Sequence, residues 1–184
     1  MVRPEPARRR AERYLAGAGT AAPRVQSIAA VVFIRGEVPG SAVRAGRTML
    51  AQQDSAFTPA VAVVAVGSTV EFPNRDDFFH NVFSYSSPKR FDLGRYPRGE
   101  SKAVVFDEPG IVRIYCEVHE SMRSAVIVSE NPHWAVIGED GRFAIADVPP
   151  GRYQLEVWHP DHDGRTLDIE VVAGRTTSIT AELE

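Results

Sequence analysis

The chain has 184 residues, 43% of them hydrophobic and 24% charged, which is typical of a globular protein with an apolar core. Its 21 basic and 24 acidic residues give a net charge of −3, and because residues 1–13 hold five arginines, the remainder is acidic and no nucleic-acid partner is expected. The single cysteine excludes an internal disulfide, and no apolar run reaches the ~18 residues of a membrane span.

The first half of the chain predicts a basic tail followed by short β-strands. Residues 1–24 combine Arg, Ala, Gly and Pro without a sustained period, and we predict that they are disordered. Residues 27–34 and 47–52 are expected to form strands, and the continuously apolar residues 61–66 predict a strand in a sandwich core. Met49 is a possible metal ligand by residue type, but its place in a strand favours a packing role.

A second group of strands leads to the only cysteine. His80 follows the loop residues 73–77 and begins a strand-like run that ends at Tyr85. Residues 86–99 are polar and rich in Pro and Gly, and we expect an insertion between strands or a partner surface there. Two further β-rich runs follow, and the second of them, residues 110–115, ends directly before Cys116.

The segment after this strand carries a candidate metal site. Cys116, His119 and Met122 stand at every third position between two strand-like flanks, so a tight loop can turn all three side chains toward one point. A lone Cys or His is more often structural. Thiolate, imidazole and thioether together suit copper, however, and a trigonal site needs a second histidine, for which His80 is the candidate. We therefore predict one copper ion bound by His80, Cys116, His119 and Met122.

These residues carry a family resemblance. The short Cys-x-x-His-x-x-Met loop and the upstream Phe-Pro-Asn…His-Asn-Val element resemble those of the cupredoxins, or type 1 blue copper proteins, and the loop is most similar to that of amicyanin-like members. The resemblance covers about residues 28–128. It implies a Greek-key β-sandwich, one type 1 copper ion and single-electron exchange with a redox protein, such as a cytochrome or a copper or quinone enzyme. It further implies that Asn81 ties the His80 loop to the cysteine loop, and that His119 passes the electron at the protein edge.

The chain after Val128 predicts a second unit. Five short runs, at residues 134–137, 141–145, 153–158, 167–172 and 176–183, read as strands separated by turns, which is typical of a small antiparallel sandwich. Residues 141–158 resemble the carboxypeptidase regulatory-like, or transthyretin-like, domain. We therefore expect an all-β protein with a cupredoxin-like copper domain at residues 25–130 and a regulatory-like domain at residues 131–184. The second is small enough that we expect it to pack against the first.

Relatives of the first domain are usually exported, so a periplasmic or otherwise exported protein is expected. Residues 11–19 are too polar and glycine-rich for the apolar core of a signal peptide. Our hypothesis is that the given start lies downstream of a true leader, or that the leader was removed. The sequence upstream of Met1 would test this, because an immediate in-frame stop codon would contradict it.

Several alternatives remain open at this point. The chain could hold copper for delivery or storage, or serve as a β-sandwich interaction module without electron transfer. An enzyme is not expected, because the His-x-His ligands of multicopper enzymes are absent. His133, His159 and His162 invite a second metal site, but a polar turn explains the latter two. Glu117 and Glu120 flank the copper loop with acidic charge, which favours a partly basic partner steered electrostatically.

Overall fold

The computed structural model describes residues 28–183, so the predicted tail of residues 1–24 lies outside the described residues. The regular structure of residues 28–183 consists of β-strands. In chain order the strands are β1 Val31–Ile34, β2 Arg47–Met49, β3 Ala51–Gln53, β4 Ala56–Thr58, β5 Val61–Ala65, β6 Ser68–Pro73, β7 His80–Ser84, β8 Phe91–Tyr96, β9 Ser101–Phe106, β10 Gly110–Tyr115, β11 Arg123–Ser129, β12 Trp134–Val136, β13 Gly151–Trp158 and β14 Arg165–Val171. The prediction of an all-β sandwich is confirmed. Within the same residues, no helix has the length and apolar character that crossing a membrane requires.

The strands form three stacked layers. The middle layer is a five-stranded sheet of order β5-β11-β10-β7-β8, and one of its faces packs on the three-stranded sheet β2-β6-β9 and the hairpin β3-β4. Its other face packs on a four-stranded sheet of order β12-β1-β13-β14. The first two layers form the sandwich that carries the predicted copper ligands, and the third layer holds most of the C-terminal residues.

Strand β11 shows why its sequence is almost continuously apolar. Val126 and Val128 point into the core of the first sandwich, whereas Ala125 and Ile127 point into the contact with the third layer. A strand covered on both faces cannot alternate polar with apolar residues, and it therefore reads as a hydrophobic run. Full burial of each such aliphatic side chain contributes roughly 1.5–3 kcal/mol, so this strand stabilises both interfaces at once.

Strand β1 is buried on both faces for the same reason, but it lies in the third layer rather than in the first sandwich. It runs antiparallel between β12 and β13, with Val31 opposite both Val136 and Trp158. The sequence-based division assigned residues 25–130 to the copper domain. The pairing differs from that division at this element, because the ladder partners of β1 come from the C-terminal part of the chain.

A buried asparagine fixes the junction between the two units. The amide of Asn131 donates to the carbonyls of Ile34, at 2.8 Å, and Gly36, at 2.6 Å, and its side-chain oxygen accepts from the amide N–H of His133. The ring of His133 lies 2.7 Å from the hydroxyl of Ser41. His133 is therefore a buried junction residue with a hydrogen-bond partner. The short connection after β11 behaves as part of the fold rather than as a linker.

Two expectations about local structure were wrong. Residues 86–99, expected as an insertion, contain β8, which pairs antiparallel with β7 at the edge of the middle sheet. Residues 141–145 and 176–183, expected as strands, form none. Their alternating apolar side chains nevertheless pack on the outer face of the third layer: Phe143, Ile145, Ile179, Ala181 and Leu183. The period of two therefore reflects one-sided burial there, which does not require ladder pairing.

Candidate metal centre

His80 begins β7, deep inside the sandwich. Its side chain is fully buried, and its ring Nε2 lies 2.8 Å from Oδ2 of Asp76, four residues earlier in the preceding loop. This contact occupies one ring nitrogen. The other, Nδ1, faces Cys116 Sγ at 3.6 Å. A neutral ring that donates Nε2–H to this carboxylate has its lone pair on Nδ1, which is the tautomer that a metal ligand needs.

The loop between β10 and β11 holds the other three predicted ligands. The ladder between these strands ends at the pair Tyr115–Arg123, so residues 116–122 form the connection. Two backbone bonds tighten it: Cys116 N–H donates to the Met122 carbonyl at 3.2 Å, and Met122 N–H donates to the His119 carbonyl at 3.0 Å. The predicted tight loop is thereby confirmed, and it turns Cys116 and His119 toward His80.

The three side chains lie close enough together to share one ion. The ligand atoms of His80, Cys116 and His119 all lie within 4.8 Å of one another, the one such group of His, Cys, Asp or Glu in residues 28–183. Metal–sulfur and metal–nitrogen bonds of ~2.3 and ~2.0 Å at trigonal to tetrahedral angles imply a sulfur–nitrogen separation of roughly 3.5–3.7 Å. The observed 3.6 Å between Cys116 Sγ and His80 Nδ1 falls within that range.

His119 provides an independent sign of a missing partner. Among the buried side-chain nitrogen and oxygen atoms of residues 28–183, only His119 Nδ1 and Gln52 Oε1 have no hydrogen-bond partner. An unpaired buried polar atom costs roughly 1–3 kcal/mol, and such atoms are rare in folded proteins. An ion coordinated by His119 Nδ1 would remove this cost. The residues therefore fit a metal with thiolate and imidazole ligands.

Met122 lies in the same apolar environment as the cysteine. Its side chain is 1% exposed and belongs, with Cys116, to the hydrophobic core of the first sandwich. A thioether buried beside the thiolate is consistent with a weak axial ligand. Ligation by all four predicted residues stays a prediction. Met49 lies elsewhere, with its side chain exposed and its sulfur in contact with the guanidinium of Arg75.

The electrostatics favour an anionic sulfur at Cys116 and a neutral ring at His119. Burial opposes ionisation of Cys116, but hydrogen bonds from His80 and nearby backbone groups outweigh it and hold the pKa of the thiol below its usual value. Burial, together with the charge of His80, lowers the pKa of His119. For His80, burial is outweighed by the bonds to Cys116 and Asp76, which raise its pKa. The directions of these pKa shifts therefore favour a thiolate at Cys116 and a neutral imidazole at His119, whose ring keeps a lone pair for a metal.

Asn81 joins the two halves of the site. Its side-chain oxygen accepts a hydrogen bond of 2.7 Å from the backbone N–H of Glu117, directly after Cys116. The predicted tie between the His80 segment and the cysteine loop is confirmed. Such a bond keeps the ligand loop at a fixed distance from β7 whether or not an ion is present.

The role of Asp76 was not predicted from the sequence, in which the residue is part of the loop 73–77. The residue is only 9% exposed, and three donors converge on its carboxylate: the His80 ring and the backbone N–H groups of Asp54 and Ser55. The available signal was a carboxylate within one loop of a ligand histidine, since histidine ligands commonly donate their second N–H to such a group.

The surface over the site is apolar at its centre and charged at its edge. Phe78, Phe79 and Val118 are large exposed hydrophobic residues, and the Phe78 ring contacts the rings of both histidines, at centroid distances of 4.9 Å from His80 and 5.4 Å from His119. At the edge, Glu117 pairs with Arg95 at 3.3 Å, and both groups are exposed. Arg95 thus offsets part of the acidic charge that the sequence placed beside the loop.

Comparison with known families agrees with the second of the two resemblances. The family model of the carboxypeptidase regulatory-like domain matches residues 121–184, about a third of the chain. This match begins before β11, a strand of the middle sheet, and does not contain β1. The resemblance predicted for residues 131–184 is confirmed. A search of the curated proteins gives no match.

Among solved structures, the chain is similar to copper proteins. A Cu-containing nitrite reductase from Thermus scotoductus SA-01 shares 25% identity over 52% of this chain, with a TM-score of 0.44, and this chain spans only 25% of its length. A purple cupredoxin from Nitrosopumilus maritimus shares 24% identity over 46% of this chain and 99% of its own, with a TM-score of 0.39. A proline-to-glycine mutant of amicyanin, in its reduced Cu(I) form, shares 24% identity over 53% of this chain and 98% of its own, with a TM-score of 0.43.

Proposed function

We propose that this chain is a type 1 copper protein that carries single electrons. The observation that carries the proposal is the convergence of ligand atoms of His80, Cys116 and His119 within 4.8 Å of one another, beside a buried His119 Nδ1 that has no hydrogen-bond partner. A copper ion held there would supply a one-electron Cu(I)/Cu(II) couple, for which a trigonal Cys-His-His set with a weak thioether is suited.

The chain's own residues favour a site that changes little between oxidation states. His80 is fixed through Asp76, the loop is closed by its own backbone bonds, and Asn81 holds the loop to β7. With the ligand groups held in place, little reorganisation is needed when an electron arrives or leaves. The ligand set is also complete without a substrate, so we assign no enzymatic activity.

Burial favours electron transfer over copper delivery. Cys116, His80 and Met122 are 5%, 0% and 1% exposed, and of the four predicted ligands only His119 reaches the surface. Delivery of an ion to another protein requires ligands that can be exchanged from outside. An electron, in contrast, needs only one exposed edge, which His119 provides beneath the apolar residues Phe78 and Val118.

The proposed partner is another redox protein, such as a cytochrome or a copper or quinone enzyme, docking over the surface of Phe78, Phe79 and Val118 around His119. The acidic groups Glu117 and Glu120 would steer a partner with basic charge, although Arg95 weakens the first of them. An exported location, as is usual for cupredoxins, remains part of this proposal.

The test is the visible spectrum of the purified protein after addition of Cu(II), beside a Cys116→Ser variant. Intense absorption near ~600 nm in the original protein, lost in the variant, would support the type 1 site. A weak, pale spectrum in both would mean that the thiolate does not bind the ion, and it would overturn the proposal.

A second arm distinguishes a carrier of electrons from a carrier of copper. The reduced, copper-loaded protein is mixed with an oxidised basic cytochrome at low salt, and cytochrome reduction is followed optically. Rapid reduction, slowed when Glu117 and Glu120 are both changed to glutamine, supports electron transfer with electrostatic steering. Transfer of copper to a chelator without cytochrome reduction would instead favour the storage or delivery role.

A further inference from the structure

Asp76 forms an anionic group directly behind one predicted copper ligand. Its Oδ2 lies 2.8 Å from His80 Nε2, on the side of the ring opposite Cys116. The carboxylate is almost buried, so its interaction with the ring is weakly screened by water. Asp76 therefore affects both the orientation of the His80 ring and the electron density on Nδ1.

The carboxylate is held in turn by the two-residue turn between β3 and β4. Asp54 N–H donates to Oδ1 at 2.7 Å, and Ser55 N–H donates to Oδ2 at 3.0 Å. Both turn residues adopt left-handed backbone angles, with φ of 55° and 57°. A two-residue hairpin of this type requires positive φ at both positions; Asn, Asp or Gly usually fills the first and Gly the second, so Ser55 is the unusual residue here.

The turn sequence Asp54-Ser55 contains no glycine, the residue that tolerates this backbone best. A left-handed conformation is unfavourable for a residue with a Cβ atom, and more so for Ser55 than for Asp54. Such strain persists where the surrounding structure fixes the backbone, and it is frequent at functional sites. Here the fixing contact is Asp76, and the N–H groups of both strained residues point to it. The hairpin and the carboxylate support each other.

The loop itself orients Asp76 from the other side. The backbone N–H of Asp76 donates to the side-chain oxygen of Asn74 at 3.0 Å, and the Asn74 amide donates to the carbonyls of Phe78 and Tyr96. Tyr96 lies opposite His80 in the β7–β8 ladder. Donors and acceptors therefore fix the carboxylate on three sides, and rotation away from His80 would break several bonds.

We propose that Asp76, held by the Asp54–Ser55 turn, is a positioning residue that aims His80 Nδ1 at the metal and lowers the reduction potential of copper bound there. The reason is electrostatic: a fixed negative charge one ring away favours the doubly charged ion over the singly charged one. This inference rests on the proposed type 1 site, and it adds a residue and a turn that set the potential of that site.

The test compares the reduction potential of Asp76→Asn with that of the original protein. The asparagine keeps the shape and removes the charge. We expect the ratio of Cu(I) to Cu(II) binding constants to rise at least tenfold, which is about 59 mV for a one-electron couple. Asp76→Glu, which keeps the charge, should restore part of the difference.

The matched control is Asp77→Asn, one residue along. Asp77 is exposed and pairs with Arg98 on the surface, so its removal takes away the same formal charge without touching His80. We expect its potential to change much less. An equal change in the two variants, or none in Asp76→Asn while the blue absorption persists, would overturn the role of Asp76.

A measurement on the metal-free original protein guards against a variant that does not fold. Nitrogen-15 NMR of the imidazole should show a proton on His80 Nε2 that exchanges slowly with water, because Asp76 holds it. Absence of that Nε2–H would overturn the proposal. Failure of the proposed function looks different. In that case the original protein lacks the blue absorption, while the Nε2–H of His80 is still observed. Asp76 would then still orient His80, but its proposed effect on the reduction potential of copper would be overturned.

Discussion

Two regions of this protein each bring a pair of histidines together, and only one of them resembles a metal site. The rings of His80 and His119 lie 4.9 Å apart between centroids, and those of His159 and His162 lie 4.7 Å apart in the turn after β13. By distance alone the pairs are equivalent. The two pairs differ in whether the potential metal-ligand atoms around them are already engaged in hydrogen bonds or ion pairs.

At the second pair the neighbouring groups are already occupied. His159 Nδ1 accepts a hydrogen bond from the backbone N–H of Asp161, and the Asp161 carboxylate forms a two-point contact with Arg123, at 2.7 and 3.0 Å. At the first pair, ligand atoms of both histidines and of Cys116 lie within 4.8 Å of one another, and His119 Nδ1 is buried without a hydrogen-bond partner. A short distance between two histidines is therefore weak evidence for a metal site. A buried ligand atom without a hydrogen-bond partner is stronger evidence for one.

The largest effect should come from removing one histidine of the first pair, compared with removing both of the second. His119→Ala should weaken copper binding by at least ~100-fold, since loss of an outer partner of a ligand already costs 10–100-fold. The double change His159→Ala and His162→Ala should leave affinity and spectrum unaltered. Competition with a chelator of known affinity measures both. A comparable loss of copper affinity in the double variant would mean that the ion binds at His159 and His162, and it would contradict the proposed site.

A smaller effect is expected from the tie between the two halves of the first site. Asn81→Ala leaves the Glu117 N–H without its acceptor, and this should weaken copper binding by about 10–100-fold and lower the free energy of unfolding by about 1–3 kcal/mol. The control is Asp140→Ala, which removes an equivalent bond to the Arg142 N–H in an exposed turn. Denaturant unfolding and chelator competition should show little change there; equal losses would mean that Asn81 has no special part in the site.

The smallest effect concerns the one ionisable group inside the third layer, among the described residues, whose pKa is shifted. Burial raises the pKa of Glu156, only partly offset by Arg35 at 3.5 Å. The unfolded chain therefore ionises first as pH rises, so this group lowers stability between its unfolded and folded pKa values, and the loss persists above them. Glu156→Gln should stabilise the protein at pH 7 by less than about 1 kcal/mol and have no such effect near pH 3. A variant less stable at pH 7 would show that the contact with Arg35 outweighs burial.

The sequence was informative where spacing is local. A loop of seven residues with Cys116, His119 and Met122 between β-rich flanks has few ways to arrange itself, so the tight loop could be predicted. The tie through Asn81 came from family resemblance and matched the observed bond. Asp76 lies only four residues before His80, but the sequence does not show that the distant turn of Asp54 holds its carboxylate against the His80 ring.

Strand pairing was the other property that the sequence could not supply. Residues 31–34 were correctly predicted as part of a strand, but a run of four buried residues does not indicate which sheet covers it. Conversely, residues 176–183 alternate like a strand because one face is buried, although they form no strand in the described chain. The period of apolar residues in a sequence indicates which side chains are buried. It does not indicate which strands form hydrogen bonds with each other.

The place of β1 has a consequence for how the molecule is made. On the ribosome β1 emerges well before its ladder partners β12 and β13. The third layer cannot close until β13 has been synthesised, whereas the sandwich with the predicted metal ligands has all its strands by the end of β11. Pairing of such distant segments slows folding. Strand β1 must therefore wait for its partners, and once paired it joins the C-terminal part of the chain to the sandwich.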